Sequence, residues 1–138
     1  MNKIYVYDAC ALIAVIEDEP GASIVDAAYQ EASEGRARLI MNKVNLLEVY
    51  YGILREQGNE YADKILDSVE RSIIEITDIS YDVLKEAGRI KANYKTSLAD
   101  SVAIAETTVA DAFLLTADHH EMDAVERGEA RVKFCWIR

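Results

Sequence analysis

Proline is almost missing from this chain. Pro20 is its one proline, and six glycines and two cysteines are all it has of those residue types. So little chain-breaking material argues against a linker-rich or low-complexity protein and for regular elements joined by short turns. Cys10 and Cys135 stand far apart with no Cys-x-x-Cys spacing, which excludes a zinc cluster or a redox pair and leaves two reduced thiols. No apolar run reaches the ~20 residues that span a bilayer, and the N-terminus enters a strand-like stretch with no leader pattern, so the expectation is a cytoplasmic protein without a membrane anchor. Positive charge is also in deficit. Fifteen Lys and Arg face 25 Asp and Glu, a net charge of −10, which rules against binding nucleic acid through a broad basic surface. It leaves open an enzyme that reaches nucleic acid through a metal ion, because such a site is itself built of acids.

What is present is a 138-residue chain, 51% hydrophobic, enough for one folded domain over residues 1–138 with its own core. Ile4, Val6 and the flanking Tyr5 and Tyr7 make a short strand that ends at Asp8, and Ala9 to Ile13 begins a helix. Glu17 to Gly21 breaks that run, with Pro20 suited to the first turn of a second helix over Ala22 to Glu34, which Gly35 stops. Ala37 to Met41 reads as a strand. Asn42 or Asn45 can cap the helix that follows, and Asn45-Leu46-Leu47-Glu48 has capping-box spacing. Tyr61 to Ser72 is a further helix and Ile73 to Thr77 a third strand. Ser80 caps a helix from Tyr81 to about Tyr94, and Ser97 caps Leu98 to Val109, apolar nearly all round and therefore central. Ala112 to Thr116 is a fourth strand, His119 to Arg127 a short helix, Val132 to Ile137 a last strand. Strands alternating with helices predict an α/β fold of three layers, α/β/α, around a mostly parallel sheet of about five strands.

Most of the acids fall on outward faces or in loops, where a solvated charge is the ordinary explanation. Four do not. Asp8 ends strand one, Glu48 sits among Leu46, Leu47 and Val49, Asp100 opens the central helix, and Asp118 follows strand four. In a parallel sheet, strand C-termini and helix N-termini share one rim, where ligands bind. The partial positive charge of a helix N-terminus accounts for Glu48 or Asp100 singly, but not for four acids on one rim. Crowded carboxylates raise one another's pKa, and a divalent cation relieves them. An oxygen-only set suits Mg²⁺ or Mn²⁺, which activate water and stabilise phosphoryl oxyanions.

The four segments resemble those of PIN-domain ribonucleases, in particular the VapC-like toxin group, over essentially the whole chain. The resemblance runs through Val6-Tyr7-Asp8-Ala9-Cys10-Ala11-Leu12-Ile13, Asn45-Leu46-Leu47-Glu48-Val49-Tyr50-Tyr51-Gly52, Leu98-Ala99-Asp100-Ser101-Val102-Ala103-Ile104-Ala105 and Leu114-Leu115-Thr116-Ala117-Asp118, in the family's order. It implies a Mg²⁺- or Mn²⁺-dependent endoribonuclease, the toxin of a toxin–antitoxin pair, forming homodimers and blocked by a cognate antitoxin. Asp8, Glu48, Asp100 and Asp118 would bind the metal and orient the attacking water, with Thr116 supporting them. Two positions depart from the pattern. Cys10 stands where the family has Ser or Thr. Where an aromatic often follows Thr-x-Asp, this chain has His119-His120-Glu121-Met122-Asp123, with Met122 available for the packing role.

Asp123 is a further oxygen donor near the site and a candidate auxiliary acid; adjacent His119 and His120 suit a loop better than a Mg²⁺ shell. Lys85, Arg89, Lys91 and Lys95 form the one locally basic segment and lead into the Asp100 helix, so they are candidates for contacts to an RNA backbone as well as for a solvated helix face. Lys43 is a weaker candidate of the same kind. Two other functions compete: a catalytically inactive PIN-like module that binds RNA or a protein, and a different α/β phosphotransfer enzyme using Asp78 after strand three, which leaves Glu48 and Asp118 unexplained.

Overall fold

The structure, a computed structural model, describes residues 3–138. Of the single domain expected over residues 1–138, residues 1 and 2 lie outside that range. The elements run β1 (Lys3–Tyr7), α1 (Ala9–Ile16), α2 (Ala22–Ser33), β2 (Ala37–Asn42), α3 (Lys43–Gln57), α4 (Asn59–Glu70), β3 (Ile74–Thr77), α5 (Tyr81–Asn93), α6 (Leu98–Ala110), β4 (Phe113–Thr116), α7 (His119–Gly128) and β5 (Lys133–Trp136).

The five strands form one sheet in the order β3-β2-β1-β4-β5, and every neighbouring pair is parallel. Side chains alternate across it. Tyr5, Tyr7, Leu39 and Met41 point to one face, where Leu12, Val25, Val49, Ile53 and Val69 of α1 to α4 cover them. Val6, Ile40 and Leu114 point to the other, under Ile90, Ile104, Met122 and Val125 of α5 to α7. This is the three-layer α/β/α fold. Its strands are apolar on both faces because both are covered. The central helix expected over Leu98 to Val109 is α6: every residue from Asp100 to Thr107 is buried. Met122 is fully buried among its neighbours and fills the packing position after Asp118.

One local expectation is decided between its two alternatives, and two others change. Asn42, the last residue of β2, caps α3, accepting from the Val44 amide at 3.0 Å; Asn45 lies inside the helix and is no cap. The sheet extends far enough to spend Asn42 at the junction, so α3 starts earlier than the Asn45–Glu48 spacing suggests. Pro20 lies outside α2, whose N-cap is Gly21 at φ 101°. A Cβ there would meet the Ile137 carbonyl oxygen at 2.7 Å, so the turn needs glycine both for its backbone angle and for its space. Helix α4 begins at Asn59, before the expected Tyr61. Here Gly58, at φ 88°, both ends α3 and starts α4, so no loop separates them.

The strand order reverses between β1 and β4. Chains leave the sheet in opposite directions there, opening a crevice at the strand C-termini. Asp8 follows β1 and Asp118 follows β4.

Candidate metal centre

Asp8 is the N-cap of α1. Its Oδ1 accepts from the Ala11 amide at 2.9 Å, while its Oδ2, wholly buried, has no hydrogen-bond partner. Burial pushes its carboxyl from 3.8 up to about 7; the Asp118 and Glu48 charges add to the rise, and the nearby Thr116 hydroxyl and the Ala11 amide oppose it. An ionised oxygen with no donor is costly in a protein interior, so Oδ2 calls for a proton or a cation.

Asp100 stands in the first turn of α6, 6% exposed, its amide held by the Ser97 hydroxyl. Asp118 caps α7, accepting from the Glu121 amide at 3.2 Å, and its own amide donates to the buried Thr116 hydroxyl at 3.1 Å. Asp100, Asp118 and Glu121 each offer an oxygen, and these lie within 4.8 Å of one another. Burial, then contact with the Asp118 and Glu121 carboxylates, drives the Asp100 pKa strongly upward. Glu48, half-buried on α3, is held above the usual carboxylate range by desolvation and by Glu121 and Asp118. It borders the group without joining the tight set of three.

Glu121 was not among the residues expected here. Its Oε1 accepts from the Ser97 amide at 2.5 Å, which ties α7 to the start of α6. The signal that could have found it is Asp118-His119-His120-Glu121, a D-x-x-E spacing that places cap and carboxylate on one side of the first turn. Asp123, the auxiliary acid expected instead, accepts from His119 Nδ1 at 2.8 Å, outside the group of three. His119 stacks on Trp136 with ring centroids 3.8 Å apart, and its Nε2 meets the Arg138 carbonyl oxygen. The Cys10 thiol is pushed up to about 12, by burial first and then by Asp8, Asp118 and Asp100, so it faces the acids as a neutral group.

The basic segment divides. Arg89 pairs with Glu86 and Glu129, at 2.9 and 2.6 Å. Lys91 donates to the Thr96 carbonyl oxygen at 2.9 Å, beside the start of α6. Lys85 and Lys95 are exposed. Lys43 pairs with Asp78, the acid of the phosphotransfer alternative, which is exposed at the end of β3.

The donor set fits a small divalent ion: oxygen ligands only, three within one coordination sphere, and an orphaned Asp8 oxygen at the same strand ends. Among the described residues, no helix is long and apolar enough to cross a membrane.

Comparison with known proteins agrees with this architecture. A family model described as the PIN domain matches residues 5–128. Curated protein sequences give no match. Among solved structures, the chain is similar to DNA-bound VapBC from Salmonella typhimurium (TM-score 0.77, 16% identity, covering 100% of both chains). It is similar also to VapBC2 from Rickettsia felis bound to a promoter DNA fragment (TM-score 0.76, 17% identity, 96% of this chain and 98% of that one). A third is VapC20 of Mycobacterium tuberculosis, a sarcin-ricin loop cleaving toxin (TM-score 0.62, 12% identity, 81% and 87%).

Proposed function

The chain belongs to the PIN domain family, and from that premise we propose that it is a metal-dependent endoribonuclease, the toxin of a toxin–antitoxin pair. The observation that carries the reading is the convergence of Asp100, Asp118 and Glu121 within 4.8 Å beside the unpartnered Asp8 Oδ2. Asp8, Asp100, Asp118 and Glu121 would hold Mg²⁺ or Mn²⁺, with Glu48 at the border of the set. When bound, the ion supplies positive charge for the phosphoryl oxygens and lowers the pKa of water.

The residues do the rest. Thr116 fixes the loop that carries Asp118, through the Asp118 amide. Glu48, half-buried and raised in pKa, would orient the attacking water and take its proton as the bond from water to phosphorus forms and the bond to the leaving oxygen breaks, that oxygen taking a proton from solvent. Lys85 and Lys95, exposed ahead of α6, would meet the RNA backbone, with Arg89 and Lys91 joining only by giving up their present partners. The antitoxin is supported by the VapBC complexes among the neighbours; the homodimer and a cytoplasmic location belong to the same proposal.

The test is cleavage of a single-stranded RNA by the purified chain in Mn²⁺. Cleavage that stops with EDTA and falls at least a hundredfold in Asp100→Asn supports the reading. Mn²⁺ binding with no cleavage of any RNA favours the inactive binding module, for which the neutral Cys10 thiol facing the acids and the net charge of −10 speak.

A further inference from the structure

Asn45, the second of the two candidates for the cap of α3, lies inside that helix, fully buried. Its Nδ2 donates to the Ala99 carbonyl oxygen at 3.0 Å. A carbonyl only accepts, so this bond fixes which way the amide points and turns Oδ1 away from α6's backbone. Oδ1 is buried and has no hydrogen-bond partner. A buried amide oxygen left unpaired costs free energy and needs a donor. Among the described residues, the buried side-chain atoms without a partner are this oxygen and Asp8 Oδ2.

Place accounts for the coincidence. Asn45 precedes Glu48 by three residues on α3 and so shares its helix face. Its partner Ala99 is the residue before Asp100. The amide is thus tied to the residue next to Asp100, and the oxygen with no donor stands one turn of α3 from Glu48. Mg²⁺-type ions keep several of their waters when bound, and those waters donate.

We propose that Asn45 Oδ1 accepts a hydrogen bond from a water of the bound divalent ion, making Asn45 a positioning residue that holds the ion's shell against Glu48 and Asp100. This rests on the metal-centre reading above. Asn45 then has two separable jobs: Nδ2 ties α3 to α6, and Oδ1 serves the ion.

The two jobs come apart in a pair of variants. Asn45→Asp keeps an acceptor oxygen and loses the tether; Asn45→Leu, of similar size, loses both. Mn²⁺ binding is measured by calorimetry and thermal unfolding is followed without metal. Both variants melt lower than the wild type. Asn45→Asp binds Mn²⁺ at least as tightly as the wild type, and Asn45→Leu binds about tenfold more weakly, the scale found when groups supporting metal ligands are removed. If Asn45→Leu does not fold, Asn45→Ala carries the same comparison. Equal weakening in both variants would overturn the inference by showing a tether alone, and so would unchanged binding in Asn45→Leu. In either case wild-type binding stands and the metal centre with it. No Mn²⁺ binding by the wild type would overturn the metal centre first and this inference as a consequence.

Discussion

Asp8 has two oxygens with opposite circumstances, one capping α1 and one buried without a partner. Its pH behaviour follows. Below 3.8 both folded and unfolded states carry the proton, and the site costs nothing. As pH rises the unfolded chain ionises first, while the folded carboxyl holds its proton until about 7. The metal-free protein therefore loses stability across that window, and Asp100, shifted the same way, extends the loss upward. Melting in EDTA should fall from about pH 4 to about pH 8, and Mn²⁺ should restore it most at the higher pH, because the ion replaces the proton. Asp8→Asn should flatten the metal-free profile and remove the Mn²⁺ effect. A metal-free profile as steep as wild type in that variant would move the effect away from Asp8. Asp8, Asp100 and Asp118 were legible in the sequence because each sits where a strand ends or a helix begins, and periodicity marks those points. Glu121 was only partly so: the Asp118-His119-His120-Glu121 spacing marks a helix start, but its place at the site depends on α7 folding back against Ser97.

Helix α3 takes its position from Asn42. The side chain accepts from Val44, and its Nδ2 reaches the Asp78 carbonyl oxygen and the buried Glu106 carboxylate on α6. Thr77 donates to the same Glu106 oxygen at 2.5 Å. One residue thus joins β2, β3, α3 and α6, the frame on which Glu48 and Asp100 stand. Asn42→Ala should cost roughly 1–3 kcal/mol in urea unfolding, since it removes a cap and leaves a buried carboxylate short of a donor; Asn42→Asp keeps the cap but sets a second carboxylate against Glu106 and should be at least as damaging. A cost below about 0.5 kcal/mol for Asn42→Ala would contradict that role. Gly21→Ala should likewise destabilise, because its Cβ would strike the Ile137 backbone. The order of elements was readable from caps and apolar periodicity, and α6 announced itself by being apolar all round. The choice between Asn42 and Asn45 as the cap of α3, and the place of Pro20, were not, because β2 length and the packing of Ile137 on Gly21 decide them, and neither is a local property.

At the scale of the molecule, the acidic surface leaves few cations for RNA, and the proposed catalysis draws its positive charge from the metal. On α5, Tyr81 and Leu84 stand one turn apart and are 82% and 54% exposed, an apolar pair that a second copy can cover. Light scattering should give twice the 15.4 kDa chain mass, and Leu84→Glu should return a monomer; a monomeric wild type would exclude the dimer. In the proposed centre, carboxylates at the starts of α1, α6 and α7 meet to hold one kind of ion. Anomalous diffraction from crystals of the protein with Mn²⁺ tests it most directly. A peak should appear among Asp8, Asp100, Asp118 and Glu121 in the wild type and be lost in Asp8→Asn. A map of ordered carboxylates at saturating Mn²⁺ with no peak there would contradict it.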